Sequence, residues 1–258
     1  MLSPFSIDET GSGSINRLWF RGGLPPSFLA RSQAEGRTWR TAFVRSFRER
    51  DLPQLGITVP ASTMRRFWTM LAPCHGNRWN AAELSRSLGV STPTVNSYLD
   101  ALLDALVVRR LAPWFEKNLR KRQVKAPKVD LTDTGLLHTL LGIRSEFALL
   151  GHPKCGASWE GFAMQEAVRI LSADWEDCHY WATHRGAEID LLVNDGNQRI
   201  GLEFKKTSAP KMTRSIHSAL ADLHLDRVIV LFPGDTRLQL HKRVEAVGLT
   251  LACSQGLL

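Results

Sequence analysis

The sequence has little cysteine, and what it has is scattered: Cys74, Cys155, Cys178 and Cys253 form no C-x-x-C pair. That spacing argues against a zinc ribbon and a disulfide framework and fits a reducing compartment, the cytoplasm. No apolar run reaches the length of a bilayer span and no signal-like segment opens the chain, so no membrane partner is expected. The phosphate-cradling loop G-x-x-x-x-G-K-[ST] is also missing. The glycines of "GSGS" (11–14) are followed by neither Lys-Thr nor Lys-Ser, and no apolar strand ends in an Asp-Glu pair. ATP is therefore not expected as a cofactor of this chain. Internal repeats and low-complexity tracts are absent too.

What is present is length for sizeable cores, with 258 residues, and an excess of positive charge, +8. The charge is concentrated. Between 109 and 128 stand Arg109, Arg110, Lys117, Arg120, Lys121, Arg122, Lys125 and Lys128, against the single acid Glu116. Such a run is the footprint of a polyanion, with DNA the expected partner, or else a solvated loop.

Along the chain, loop signals fill 1–36. Helical patterns follow at about 38–51 and 62–71, and strand-like runs begin after a break at about 145–156. Within 80–114, Asn80 with Glu83 three residues on marks a helix start, and Gly89 supplies a tight turn. Ser91 or Thr92, with Pro93, opens a second helix whose stripe is Val95, Leu99, Leu102 and Leu103. This is helix-turn-helix spacing. "LVVRRLAPW" and "APKVDLTD" then read as the two strands of a wing that carries the basic run. The exposed face of the second helix (Thr94, Asn96, Ser97, Asp100) has no Arg or Lys, so phosphate contact is better supported than base readout. Docking to protein is the alternative use.

The stretch "GAEIDLLVNDGNQRIGLEFKK" (186–206) places acids inside apolar strands. Alternation puts Glu203 and Lys205 on one face of the second strand, and a hairpin turn at 194–198 sets Asp190 beside Glu203. Two adjacent buried acids repel, and a divalent cation, Mg2+ or Mn2+, offsets that repulsion. A lysine beside them can orient a nucleophile or neutralise charge on phosphorus. The preceding helix offers a further acid, Glu160 or Glu166.

The order helix–strand–strand–helix–strand, with D-(x12)-E-x-K across the hairpin, resembles the PD-(D/E)xK nucleases, in the pattern of archaeal-type Holliday-junction resolvases and Mrr-like restriction endonucleases. The strict Pro-Asp pair is absent; Ile189 precedes Asp190. The resemblance implies Asp190 and Glu203 as catalytic metal ligands, Lys205 as catalytic lysine and Glu160 as the helix carboxylate of the metal site. The segments "LSPFSIDETG" (2–11), "LWFRGGLPPSFLA" (18–30), "LGVSTPTVNSYLDAL" (88–102), "GHPKCGASWEGF" (151–162) and "ATHRGAEIDLLV" (182–193), among others, resemble the C-terminal half of a prokaryotic AAA+ ATPase family, without its ATPase core. That resemblance implies an α+β, multidomain chain. Its parts would be a lid remnant at 1–60, a winged helix-turn-helix with a basic wing at 61–145, and a restriction-endonuclease-like α/β domain at 150–258. The implied function is metal-dependent DNA hydrolysis, with a separate ATPase subunit or other protein as partner; the alternative is an inactive DNA- or protein-binding module partnering an ATPase.

Overall fold

The computed structural model describes residues 4–54, 59–117, 119–195 and 198–257. The centre of the expected hairpin turn, 196–197, lies outside the described residues. The chain is mixed α/β and divides into two compact units: Met1–Arg110 with Val129–Ser158, and Leu111–Lys128 with Trp159–Leu258.

The first unit is mainly helical. Ser32 caps the helix Gln33–Ser46 through the Glu35 N–H, so this helix begins earlier than its apolar pattern suggests. It continues into a π-helical turn, Phe47–Asp51. The helices Ala61–Leu71, Ala81–Leu88 and Thr92–Asp104 follow. Asn80 caps the second of these three and Ser91 the third. Gly89, at φ 71°, makes the left-handed turn between them. Phe47 and Leu52 share one core with Met64, Phe67, Trp68, Leu84, Val95, Leu99 and Leu102. The segment 1–60 is therefore not a separate body, as its own expected boundary implied; its apolar side chains complete the core of the helices that follow. Strand β1 (Asn77–Arg78) and the residues of β2 (Val108–Pro113) and β3 (Lys128–Leu131) that fall in this unit lie in the order β1-β3-β2.

The second unit is a mixed sheet with helices. Its strands are β4 (His179–Ala182), β5 (Glu188–Asp195), β6 (Gln198–Phe204), β7 (Arg227–Phe232), β8 (Arg237–His241) and β9 (Val244–Gly248), in the order β4-β5-β6-β7-β9-β8. β4–β5–β6 are antiparallel neighbours, while β6–β7 and β7–β9 are parallel. Helix Cys155–Ile170 precedes β4 and helix Arg214–Asp222 joins β6 to β7. A short third strand, β4, thus stands before the two the sequence suggests, and the division between the units falls inside a helix, at Ser158/Trp159, just past the expected boundary at 145–156.

The segment 114–127 is not the tip of a wing. It belongs to the second unit and is laced to β4. The Trp114 N–H donates to Tyr180 O at 2.6 Å and the Val124 N–H to Ala182 O at 2.9 Å. Buried Gln123 accepts from the Trp181 indole N–H and the Glu116 N–H, and donates to Glu116 O. These bonds satisfy backbone and side-chain groups that a free wing would leave to water.

Candidate active site

β5 and β6 pair in regular register, Leu191 opposite Leu202 and Val193 opposite Ile200. Against β4 the register slips: His179 faces Leu192 and Trp181 faces Ile189. β5 therefore carries one extra residue between Ile189 and Leu192, a bulge, and Asp190 lies within it. This is why Ile189 and Leu192, which strict alternation would separate, join one apolar cluster with Trp181, Ile216 and Leu220. Bulges re-aim a side chain at the edge of a ladder. Here the Phe204 N–H donates to Asp190 Oδ2 at 3.2 Å, fixing the carboxylate at the end of β6.

Around it the structure gathers Glu203, Lys205, Lys128 and Glu188. Lys205 Nζ stands 2.9 Å from Glu203 Oε1 and 3.9 Å from Asp190 Oδ2. Lys128 Nζ stands 3.3 Å from Asp190 Oδ1, 2.5 Å from Glu188 Oε1 and 5.1 Å from the centre of the Tyr180 ring. The Tyr180 hydroxyl donates to Ala126 O, which holds the backbone just before Lys128. Glu203 is only 5% exposed, and its Oε2 has no hydrogen-bond partner. Burial, and then the charge of Asp190, push Glu203 up to about 8 against the pull of Lys205 and Lys128. Burial works against the Lys205 ammonium, yet Asp190 and Glu203 hold it above its ordinary value. Glu160, on the Cys155–Ile170 helix, is raised by burial and then by Asp190, while Lys205 and Lys128 oppose the rise. Glu166, the other acid of that helix, is buried with Arg169 at 2.6 Å.

Two residues of this cluster escape sequence reasoning. Lys128 reads as one more member of the basic run, yet it is buried, so it is corrected from exposed phosphate contact to partner of two carboxylates. Glu188 carries the one available signal, a same-face spacing with Asp190. Among the described residues, no three His, Cys, Asp or Glu side chains stand clustered for a metal ion as they lie. The donor set still fits a hard cation: carboxylate oxygens converge and one buried oxygen is unpartnered, and Mg2+ typically asks for only one or two protein carboxylates.

The remaining basic residues divide. Lys117, Arg120, Arg122 and Lys125 are exposed, and none is paired with a carboxylate among the described residues. Lys121 is tied to Asp222 at 2.6 Å and Arg110 to Asp100 at 2.8 Å, which lowers their availability to phosphate, while Arg109 is half-buried.

Residues 12–146, more than half of the chain, match a family described as a domain of unknown function, DUF8612. The chain belongs to the DUF8612 family. Beyond that DUF8612 region, residues 155–252 match a second domain of unknown function, DUF4143. The DUF8612 chain is 50% identical over 246 residues to an uncharacterized protein of Mycobacterium tuberculosis and to one of Mycobacterium bovis, covering 95% of its own length and 55% of theirs. It thus spans about half the length of the curated relatives it matches. No solved structure matches it. Among the described residues, no helix is long and apolar enough to cross a membrane.

Proposed function

We propose that the second unit is a PD-(D/E)xK nuclease-like domain that hydrolyses phosphodiester bonds of DNA with the help of Mg2+ or Mn2+. The observation that carries this reading is the meeting of Asp190, Glu203 and Lys205 at adjacent strand ends, with one buried Glu203 oxygen left unpartnered. Asp190 and Glu203, with Glu160 from the helix, would hold the cation. A divalent ion there supplies positive charge that offsets the carboxylates and polarises a phosphoryl oxygen. Lys205, kept fully charged by its neighbours and 43% exposed, is free to face the scissile phosphate and neutralise charge as it develops. The exposed Lys117, Arg120, Arg122 and Lys125 on the same unit would hold the flanking backbone without reading sequence. The helices Ala81–Leu88 and Thr92–Asp104 with β2 and β3 are read as a winged helix-turn-helix whose wing has no free tip. The length of the mycobacterial relatives leaves room for an ATPase core beside this region.

A second reading has its own observation. Lys128 and Lys205 already pair with Asp190, Glu188 and Glu203, and such a closed ionic cluster suits an inactive DNA- or protein-binding module that partners an ATPase. The purified chain incubated with plasmid, linear and branched DNA, with Mg2+ or Mn2+ and with chelator, separates the two. Chelator-sensitive cleavage lost in Lys205→Ala supports the nuclease. Binding of DNA without cleavage under any metal supports the inactive module.

A further inference from the structure

In the first unit, the helices Gln33–Ser46 and Ala61–Leu71 border a cleft of about 590 Å3, a size typical of small-ligand sites. Arg37, Arg45, Arg48 and Arg65 line it, and no acid does. Arg37, Arg45 and Arg65 are paired with no carboxylate among the described residues. Arg48 is buried on the π-helical turn and fixed there, its Nε donating to Val44 O at 2.9 Å and its Nη1 to Ala61 O at 3.2 Å. Burial, and then the charge of Arg65, push the Arg48 guanidinium below its ordinary value, with Glu49 pulling the other way. π-helical turns are frequent at functional sites.

A second observation stands apart from the charges. Trp68 forms part of the wall, is fully buried, and its indole N–H has no hydrogen-bond partner. Buried donors are nearly always satisfied, so an orphan in the wall of a cleft sets this one apart. Guanidinium and indole groups only donate. We propose that this arginine cleft binds a run of phosphate groups. With no carboxylate in its lining it has nothing to hold Mg2+, so its ligand binds without metal, unlike that of the carboxylate cluster. Two sources share this chemistry: a free oligophosphate and the backbone of a nucleic-acid strand.

The test titrates the full chain, in EDTA, with inorganic tripolyphosphate and with single-stranded DNA. Affinity is followed by calorimetry and the indole N–H resonances by NMR, the Trp68 signal being assigned by its loss in Trp68→Phe. Tripolyphosphate is expected to bind and to move the Trp68 resonance. Arg37→Gln with Arg65→Gln should weaken it at least about tenfold at an unchanged ligand-free melting temperature. The single Arg65→Gln, at an exposed position, should weaken it about threefold. If the double variant also flattens the slope of log K for DNA against log salt by about two units, the nucleic-acid backbone is the occupant. If that slope is unchanged while tripolyphosphate is lost, the occupant is a free oligophosphate. Tripolyphosphate binding that ignores both arginines, or no binding at all, overturns the proposal.

Discussion

Each unit buries a polar cluster, and the two clusters are built to opposite rules. In the first unit, the donors gathered around His138 and Asp133 each meet an acceptor. The Trp19 indole N–H donates to Ser158 Oγ at 3.0 Å, the Ser158 hydroxyl lies 2.7 Å from His138 Nε2, and His138 Nδ1 lies 2.9 Å from Phe20 O. These contacts form one consistent chain when His138 is neutral with its proton on Nδ1. Nearby, Asp133 accepts from the N–H groups of Leu136, Gly23 and Leu24. Gly22, at φ 76°, leaves no room for a side chain: a Cβ there would stand 2.2 Å from Asp133 Oδ1. In the second unit, three carboxylates share two lysines and a buried oxygen goes unpartnered. A satisfied network holds a fold together; an unsatisfied one is kept at a cost, and a ligand is the ordinary reason to keep it.

The sharpest way to break this contrast is to remove one acid from each unit. Asp133→Ala orphans three N–H groups and uncovers the Arg40 charge, so it should cost about 3–5 kcal/mol in denaturant unfolding. A cost below about 1 kcal/mol would mean that the first cluster is not structural. Lys128→Met should cost about 2 kcal/mol, less than a fully dry pair because Glu188 is partly exposed. No loss of stability at all would show that Lys128 does not hold Asp190 in solution. Asp190→Asn keeps an acceptor for the Phe204 N–H while relieving repulsion on Glu203. Its metal-free melt should change by less than about 1 kcal/mol, and the rise with Mn2+ expected of the parent should be absent from it. A large metal-free loss, with no Mn2+ effect in the parent, sinks the metal site.

Per pH unit, titration gives a gentler effect. Glu203 is raised in the folded state from 4.5 to about 8, so its contribution is complete below 4.5 and is lost as pH climbs through 8. His138 is lowered from 6.5 to about 4 by burial, so its contribution is complete above 6.5 and is lost as pH falls toward 4. The Glu203 limb thus lies in the second unit and the His138 limb in the first. Between the ordinary and the raised value, the stability of Glu203→Gln relative to the parent should climb by at most about 1.4 kcal/mol per pH unit. A flat difference removes Glu203 as the source of that limb.

Local rules made part of this legible. Alternation and a hairpin signal single out Asp190, Glu203 and Lys205 because all three lie in, or directly after, neighbouring strands. The caps at Asn80 and Ser91 are equally local. Lys128 was hidden because its partner is 62 residues away, and a charge tally cannot tell a buried ammonium from an exposed one. The Asp133 contacts reach back 110 residues to Gly23, beyond any spacing rule. β4 has only four residues, too few to show a period, and the bulge in β5 breaks the alternation on which strand reading rests.

The chain crosses between the units three times, at 110/111, 128/129 and 158/159, the last within a single helix that places Ser158 in one and Glu160 in the other. The two family matches, 12–146 and 155–252, suggest a linear cut. The fold does not allow one: a fragment starting near 155 would leave behind Lys128, Gln123 and the bonds that lace 114–127 to β4. Recombination that swapped either match as a cassette would carry off part of the other's interior. The two halves are thus obliged to be inherited together, whatever partners each has come to serve.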